Sequence, residues 1–190
     1  MISAGGSDEW SVWLGRFQPF HSGHLGFLRS LLEETGLPLM IGVIVSTEGS
    51  SLLDDYGRLA AAQHVSAKNP LALWERLTMI GLSLEAHGLS DSVRVLGVPR
   101  PDDDIELVKR FLPARRTMCF SDKDQFEILK AARWKSSGET VRIIHSGDGV
   151  SATHFKAVLR GGGDWAALLT PESLGYFWSI DGPERFRQAE

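Results

Sequence analysis

The chain has 190 residues, enough for one domain with a sizeable core, and its 43% hydrophobic and 23% charged residues are typical of a globular protein. A formal net charge of -4 argues against broad nucleic-acid binding, and the single cysteine, Cys119, excludes an intrachain disulfide framework. No apolar run is long enough to span a bilayer, and residues 1–10 lack the basic region of a signal peptide. We therefore expect a cytoplasmic protein with no nucleic-acid or membrane partner. Its oligomeric state stays open, a homo-oligomer included.

Short apolar segments along the chain predict the strands of a sheet. Several are continuous apolar runs rather than alternating ones, as in strands buried on both faces of a parallel sheet. The segments are residues 10–15, 39–45, 93–98, 117–120 and 141–146. Helical patterns separate them, which predicts a Rossmann-like, doubly wound α/β fold with a parallel sheet of about five strands and helices on both faces. No domain boundary interrupts the pattern. We expect a single domain over residues 1–190, with flexible termini at 1–9 and 181–190.

Apolar spacing places three of the helices. The first follows His24 and ends near Gly36. The second is expected to begin with Asn69 as its N-cap and Pro70 at its first helical position. The third falls within residues 124–134. The side chains expected to face the core are Leu25, Leu28, Leu31 and Leu32, then Leu73, Leu77, Ile80 and Leu84, and then Phe126, Leu129 and Ala132.

A stretch with the sequence GRFQPFHSGHLGF, at residues 15–27, joins the first predicted strand to the first helix. The first turn of a helix presents unpaired N–H groups and the positive end of a dipole, which together attract an anion. His21 and His24 add imidazole donors, Arg16 adds a guanidinium, and Gly23 allows a ligand to approach the backbone closely. No carboxylate lies between the strand and the second histidine, so the stretch predicts a phosphate-bearing ligand.

Other interpretations of the two histidines remain. Histidines three residues apart can chelate a metal, although the third ligand and the carboxylate usual in such sites are not adjacent. They could also be loop residues without a role, an interpretation that the surrounding glycine, arginine and proline residues disfavour. Long polar loops are expected at residues 46–69 and 99–116, and in α/β sheets such loops border the ligand site.

The same stretch closely resembles the signature of the nucleotidylyltransferase superfamily, whose shared element is His-x-Gly-His. Its Gly-Arg-Phe-Gln-Pro-Phe-His form is similar to the nicotinamide mononucleotide adenylyltransferases of the archaeal type and their bacterial relatives. Residues 68–80, 97–104 and 150–177 also resemble segments of that family. The resemblance implies an enzyme in which an acceptor phosphate oxygen attacks the α-phosphorus of a nucleoside triphosphate and pyrophosphate leaves. Mg²⁺ would accompany the triphosphate, mostly with water ligands and with no dedicated protein ligand.

The resemblance also implies roles for the motif residues. The catalytic residues would be His21, His24, Lys156 and Arg16, which would stabilise charge on the α-phosphate and on the leaving pyrophosphate. Ser151 is a good N-cap for a second helix whose N–H groups would form another phosphate cradle. The nucleotide-binding residues implied in this way are Gly15, Arg16, Phe17, His21, Gly23, His24, Ser151, Thr153 and Lys156.

Acceptor binding is assigned to a looser group, namely Lys68, Asn69, Trp74, Arg76, Asp102 and Lys123. Several of these have simpler interpretations. Lys68 could equally be a solvated surface lysine. Trp74 lies on the apolar stripe of a predicted helix and could be a core residue. Arg76 could form an ion pair with Glu75 on the helix surface. Asp102 begins a run of three aspartates that resembles a metal cluster, although acidic runs in loops are usually solvated.

The match departs from the family pattern at places that bear on the substrates. Phe155-Lys156 replaces the usual Ile-Arg pair, residues 146–150 lack an arginine that many relatives carry, and SDKDQF stands at 121–126 where archaeal enzymes have Ser-Gly-Asn-Pro. ATP with nicotinamide mononucleotide, giving NAD, is the leading interpretation. The alternative is CTP-dependent transfer to a small phosphonate or phosphate in a specialised biosynthetic pathway. A third, of another class, is a non-catalytic nucleotide-binding sensor.

Overall fold

The computed structural model describes residues 8–46, 54–146 and 149–189. Within these ranges, five parallel strands form one sheet in the order β3-β2-β1-β4-β5. The strands are β1 (Glu9–Gly15), β2 (Leu39–Ile44), β3 (Val93–Val98), β4 (Arg115–Ser121) and β5 (Val141–Ile144). At the centre, Trp13 of β1 lies opposite Ile41 of β2 and Cys119 of β4. Each apolar segment singled out in the sequence forms one of these strands, which confirms the predicted sheet.

Helices cover both faces of the sheet, as predicted. They are α1 (Ser22–Thr35), α2 (Asp55–Gln63), α3 (Leu73–Ala86), α4 (Ile105–Lys109), α5 (Gln125–Ser136), α6 (Ala152–Arg160), α7 (Pro171–Ser179) and α8 (Gly182–Gln188), with short 3-10 helices at Ser66–Lys68 and Ala166–Leu168. None of the helices in the described ranges is long and apolar enough to cross a membrane.

Successive residues of β1 point to opposite faces of the sheet, and they enter two different apolar clusters. Trp13 packs into a cluster with buried side chains of α1, α3, α6, α7 and α8. Val12 and Leu14 pack into a second cluster with buried side chains of α4 and α5. The central strand is therefore buried on both faces, which is why its sequence is a continuous apolar run. Cys119 is fully buried beside Trp13, as an apolar residue would be.

The helix α1 begins and ends where the sequence indicated. Its last turn ends at Gly36, which has φ 63° and whose N–H donates to the carbonyl of Leu32 at 3.0 Å. A left-handed residue at this position is what glycine accommodates without strain. Leu25, Leu28 and Leu31 are buried on one face, so the apolar spacing identified the packed side.

The predicted start of the second helix is wrong. The helix α3 begins at Leu73, and the carboxylate of Glu75 accepts the N–H of Ala72 at 2.7 Å. Asn69 does not cap it, because its side-chain amide donates to the carbonyls of Gln63 and Val65 instead. Capping needs the amide oxygen to accept an N–H of the first helical turn, and here that oxygen accepts from Oγ of Ser46.

The predicted inner face of α5 is also wrong. Ala132 is exposed, whereas Glu127, Lys130 and Trp134 are buried. Lys130 Nζ donates to Glu127 Oε1 at 2.6 Å, so the two charges compensate one another. The buried face of α5 thus includes a charged pair, and apolar spacing alone cannot identify a buried face that contains charged residues.

The C-terminal tail is ordered over part of the range expected to be flexible. Residues 182–188 form α8, and its Phe186 is buried with ring centroids 5.9 Å from Phe155 and 5.5 Å from Phe177. Packing of Phe186 against these two rings holds α8 on the core although most other residues of the tail are polar. The long segments expected as loops contain α2 and α4, while residues 1–7 and 47–53 lie outside the described residues.

Candidate active site

A cavity of about 410 Å³ opens at the carboxyl ends of the strands. Gly15, Ile44 and Ser121, at the ends of β1, β2 and β4, line it. The N-terminal turns of α1 and α6 line it too, so two helix N-termini meet in one cavity. This is where ligands bind in open α/β sheets, and both helix ends favour an anion. All nine residues assigned to nucleotide binding from the sequence line this cavity.

His21 and His24 cap the start of α1 reciprocally. Nδ1 of His21 accepts the N–H of His24 at 3.2 Å, and Nδ1 of His24 accepts the N–H of His21 at 3.3 Å. The two imidazoles stack with their centroids 3.6 Å apart and their planes 19° apart. The spacing of three residues is thus that of a capping box, with imidazole in place of the usual hydroxyl and carboxylate.

This capping determines which nitrogen carries the proton. Because each Nδ1 accepts a backbone N–H, it must be unprotonated, and the proton of each neutral ring lies on Nε2. Burial lowers the pKa of His21 to about 3, with the charge of Lys123 adding to the effect. Burial, the neighbouring His21 and the cations Lys123 and Arg16 lower the pKa of His24 well below its ordinary value. Both rings are therefore neutral at pH 7, each with one N–H donor at Nε2.

The Nε2 atom of His21 has no hydrogen-bond partner among the described residues, although it is buried. An unpaired buried N–H is costly, so such a group is a strong indication of a ligand acceptor. A phosphate oxygen in the cavity would satisfy it. The histidines thus carry imidazole donors, as the sequence indicated, and both rings are neutral.

An aromatic wall fixes the orientation of His24. The rings of Trp13, Phe17 and Phe20 have centroids 5.8, 5.1 and 5.5 Å from its imidazole. Phe17 has φ 51° and turns its ring back over Gly15, where an added Cβ would lie 2.8 Å from the ring. The motif glycine and phenylalanine are therefore packing residues of this wall.

Gly23 has a packing role that the sequence did not indicate. A Cβ at this position would lie 2.1 Å from the carbonyl oxygen of Val150. The absent side chain lets the N-terminus of α1 approach the backbone just before α6. Gly23 therefore brings the two helix N-termini together, and its role in close ligand approach stays a prediction, with the residue in the lining of the cavity.

Two of the cations that line the cavity are Arg16 of the histidine motif and Lys156 of α6. The guanidinium of Arg16 donates to the main-chain carbonyl and, at 2.7 Å, to the side-chain Oε1 of Gln63. Nζ of Lys156 donates to the carbonyl of Lys68 at 2.7 Å. Burial lowers the pKa of Lys156 to about 7, and Arg16, Arg160 and Lys68 add to the shift. Burial also lowers the pKa of Arg16, to about 10. A polyanion entering the cavity would meet both groups.

The start of α6 is built as predicted. Oγ of Ser151 accepts the N–H of His154 at 3.1 Å, so Ser151 is the N-cap. Phe155 and Leu159 are buried behind it, which holds the first turn against the core. The first-turn residues Ala152 and Thr153 line the cavity together with the cap.

Another group of lining residues comes from α2, the β3–α4 loop and α5, and we call it the α2–α5 wall. Its members are Tyr56, His64, Asp102, Phe126, Glu127 and Lys130. The Tyr56 and Phe126 rings stack with centroids 5.7 Å apart, while Arg133 lies over Tyr56 and Lys130 over Phe126. Most of this wall carried no motif, and only Asp102 was among the residues singled out as site candidates.

Within the α2–α5 wall, Asp102 is only 1% exposed. Its carboxylate pairs with Arg100, and its Oδ1 lies 3.6 Å from Nε2 of His64. Burial and the charge of Arg100 lower the pKa of His64 to about 4, so this imidazole is neutral as well. The solvated acidic run expected here is therefore wrong for Asp102, which is a buried, paired carboxylate. No group of three metal-ligating side chains lies together within the described residues.

The structure separates the residues assigned to the acceptor. Asp102 and Lys123 line the cavity. The others lie outside its lining, and they are Lys68, Asn69, Trp74 and Arg76. Trp74 is 61% exposed, so its interpretation as a core residue is wrong too.

Arg76 is buried and serves the backbone. Its Nη1 donates to the carbonyls of Arg16 and Ile44, each at 2.8 Å. The surface ion pair with Glu75 is therefore wrong, since Glu75 pairs with Arg185 at 2.5 Å. Arg76 therefore fixes the main chain at two residues that line the cavity, and it does not line the cavity itself.

Comparison with known proteins agrees with this geometry. The profile of the Cytidylyltransferase-like family matches residues 12–81, which include the histidine motif. A nicotinamide-nucleotide adenylyltransferase of Pyrococcus furiosus is 28% identical over 184 residues, covering 93% of this chain and 86% of the relative. The enzyme of that name from Saccharolobus solfataricus is 25% identical over 185 residues, covering 93% of this chain and 94% of the relative.

Solved structures share the fold. The bifunctional NMN adenylyltransferase/ADP ribose pyrophosphatase of Francisella tularensis, complexed with AMP and a manganese ion, superposes with a TM-score of 0.64 at 17% identity. The match covers 94% of this chain and 52% of that one, so the chain spans about half of the bifunctional protein. The nicotinic acid mononucleotide adenylyltransferase of Plasmodium falciparum, complexed with NaAD, gives 0.61 at 10% identity over 93% of this chain and 97% of that one. The histidine motif at the head of α1, the relatives that match over most of the length and the five-stranded parallel sheet together support a nucleotidyltransferase enzyme, and the chain resembles the archaeal nicotinamide-nucleotide adenylyltransferases.

Proposed function

We propose that the enzyme transfers an adenylyl group from ATP to the phosphate of nicotinamide mononucleotide, forming NAD and releasing pyrophosphate. The observation that carries the proposal is the stacked, neutral histidine pair between two helix N-termini, with Nε2 of His21 buried and unpaired. The choice of substrates rests on the curated relatives, which are named nicotinamide-nucleotide adenylyltransferases and match over most of the chain.

The reaction is a single displacement. An oxygen of the acceptor phosphate attacks the α-phosphorus of the triphosphate, and the bond from that phosphorus to the pyrophosphate oxygen breaks. Catalysis of this kind needs positioning and positive potential rather than a nucleophilic side chain. Nε2–H of His21 and of His24 would donate to the non-bridging oxygens where negative charge grows. Because both rings are held by their own backbone, these donors need no reorganisation when the charge develops.

The outer phosphates are assigned to Lys156, Arg16 and the N-terminal turn of α6. Lys156 would leave the carbonyl of Lys68 for a phosphate oxygen, and a neighbouring anion would restore its proton. Mg²⁺ supplies further charge neutralisation when it arrives with the triphosphate, since this ion is commonly held by substrate phosphates, water and one or two carboxylates. The carboxylates near the cavity are Asp102, Asp124 and Glu127.

The acceptor is assigned to the α2–α5 wall. A nicotinamide ring carries a positive charge when it is part of the mononucleotide, and it would extend the stack of Tyr56 and Phe126. Asp102 and Glu127 would supply nearby negative charge, and Lys123, which also lines the cavity, would hold the phosphate. Trp74, which lies outside the cavity, is no longer part of this assignment.

A second candidate function is favoured by one feature of the same wall. Each of its two aromatic rings already lies next to a protein cation, with Lys130 Nζ 5.5 Å from the Phe126 centroid and the Arg133 guanidinium 5.2 Å from the Tyr56 centroid. Such a surface suits a small anionic acceptor better than a cationic ring. Transfer of a cytidylyl group from CTP to a small phosphonate or phosphate is therefore the alternative.

A pyrophosphate-release assay separates the candidates. The enzyme is incubated with Mg²⁺, each of the four ribonucleoside triphosphates in turn, and either nicotinamide mononucleotide, nicotinic acid mononucleotide or a panel of small phosphonates. We expect release with ATP and nicotinamide mononucleotide, with NAD as the product. Release confined to CTP and a small acceptor would replace the leading function with the alternative. Triphosphate binding without any release would instead support a nucleotide sensor.

A further inference from the structure

The two cations assigned to the triphosphate are both held by one short segment, residues 63–69. Arg16 donates to the carbonyl and to Oε1 of Gln63, and Lys156 donates to the carbonyl of Lys68. These cations come from different parts of the chain, one beside α1 and the other in α6. The position of segment 63–69 therefore sets the resting position of both.

Asn69, the only asparagine in the sequence, organises this segment. Its Nδ2 donates to the carbonyl of Gln63 at 2.9 Å and to that of Val65 at 2.8 Å. Its Oδ1 accepts from Oγ of Ser46 at 3.1 Å and lies 3.4 Å from Nη1 of Arg16. One side chain thus joins the end of α2, the residue before the 3-10 helix, the segment after β2 and the motif arginine.

The chain immediately after Asn69 is anchored independently. Gln18 exchanges two hydrogen bonds with the backbone of Leu71, at 2.9 and 3.0 Å, and Arg185 donates to the carbonyl of Pro70. The backbone of Arg16 is fixed separately by Arg76. These contacts do not fix the position of the Arg16 guanidinium or of the segment before Asn69. The side chain of Asn69 contacts both.

We propose that Asn69 is a positioning residue for the triphosphate. It holds segment 63–69 so that Gln63 aims Arg16 into the cavity and the carbonyl of Lys68 keeps Lys156 beside it. Asn69 itself does not line the cavity, so it acts through these two cations and not by contact. The sequence suggested acceptor binding for this residue, and the geometry points to the other substrate. The inference rests on the proposed function in one respect, the assignment of Arg16 and Lys156 to the triphosphate.

The test measures triphosphate binding without turnover. Dissociation constants for ATP and for CTP, each with Mg²⁺ and without acceptor, are determined by calorimetry for the wild type and for Asn69→Ala. We expect the constant for the preferred triphosphate to rise about 10-fold, the effect of losing one hydrogen bond to a charged group. The acceptor KM should change less than twofold. Gln188→Ala removes a remote amide of α8 and serves as the control, with no change in either constant.

A double-mutant cycle separates positioning from general structural damage. If Asn69 acts through Arg16, then Asn69→Ala should cost little more in the Arg16→Ala background, whereas a merely structural role predicts additive losses. Gln63→Ala, which removes only the Oε1 contact to Arg16, should cause a smaller loss of triphosphate affinity that is also non-additive with Arg16→Ala. This variant provides the test if Asn69→Ala does not fold. Additive losses, or equal losses for triphosphate and acceptor, would overturn the inference. Unchanged triphosphate binding in Arg16→Ala and Lys156→Ala would overturn the assignment of those cations instead.

Discussion

Raising the pH through neutrality should weaken triphosphate binding, because Lys156 loses its proton there. Burial and nearby cations lower the pKa of this ammonium to about 7 in the free protein. A bound polyphosphate stabilises the charged form, so the pKa rises on binding and the complex takes up a proton. Affinity is then full below pH 7 and is lost as the pH rises above that value. Arg16 keeps its charge over this range, since burial lowers its pKa only to about 10.

The size of the effect follows from the protonated fraction of the free enzyme. With a pKa of about 7, that fraction is about 0.9 at pH 6 and about 0.1 at pH 8. If only the protonated form of Lys156 binds well, the dissociation constant of the triphosphate should rise about 10-fold over these two units. The same reasoning predicts that binding takes up about half a proton at pH 7 and nearly one at pH 8.

Calorimetry in buffers of different ionisation enthalpy measures both quantities. Lys156→Arg is the matched control, because a guanidinium stays charged over the whole range. In this variant, the contribution of residue 156 to the pH dependence of triphosphate binding should be almost absent. Protonation of the nucleotide itself contributes equally in both proteins and cancels in the comparison. Lys156→Ala should bind weakly at every pH. Identical pH dependence and identical proton uptake in the wild type and Lys156→Arg would refute the reasoning.

Other predictions concern the histidine pair and its surroundings. Replacing His21 or His24 by alanine should lower kcat about 10²–10³-fold, the usual effect of one preorganised donor, and steady-state assays with circular dichroism check both rate and fold. Gly23→Ala should destabilise the protein and weaken triphosphate binding because its Cβ has no room, whereas Gly26→Ala, where nothing lies within 4 Å, should raise the melting temperature slightly. The buried neutral imidazoles should make stability fall as the pH drops from 6.5 to 5, by about 2 kcal/mol for His21, since the unfolded chain binds a proton there and the folded one does not. His64, with its pKa lowered to about 4, adds to this slope, and thermal unfolding at the two pH values measures it. A pH-independent melting temperature over that range would contradict the neutral pair.

The parts of the fold that could be predicted are those with strong local signals. Apolar segments marked all five strands, and several of them are the continuous runs that strands buried on both faces need. Gly36 marked the end of α1 because the residue there is left-handed. The motif at residues 15–27 placed the histidines at the head of that helix, since a strand, a short turn and a helix are contiguous in the chain. Ser151 was found as the N-cap of α6 by the same kind of contiguous pattern.

What could not be predicted depends on contacts distant in sequence. The α2–α5 wall joins helices separated by about a third of the chain, and Tyr56 and Phe126 carry no motif that predicts their stacking. Glu127 and Lys130 appear solvated when read singly, and only the packing of α5 on the sheet reveals a buried pair. Asn69 followed by proline matched a capping signal, but its side chain bonds to the carbonyls of Gln63 and Val65 and to Ser46, which lies 23 residues earlier in the chain. The local sequence pattern alone could not show that these hydrogen bonds would form instead of a helix N-cap.

Recognition of the acceptor gives the sharpest test of the assignment to the α2–α5 wall. If a nicotinamide ring extends the Tyr56–Phe126 stack, Phe126→Ala should raise the KM for nicotinamide mononucleotide about 10-fold, since stacking on a cation contributes roughly 0.5–2 kcal/mol. Trp74→Ala should leave that KM unchanged, because Trp74 is 61% exposed and lies outside the cavity. Lys130→Met distinguishes the alternative. It should relieve repulsion toward a cationic ring and lower the KM for the mononucleotide, whereas for a small anionic acceptor it should raise KM. A raised KM for nicotinamide mononucleotide in Trp74→Ala together with an unchanged one in Phe126→Ala would show that the acceptor does not bind at this wall.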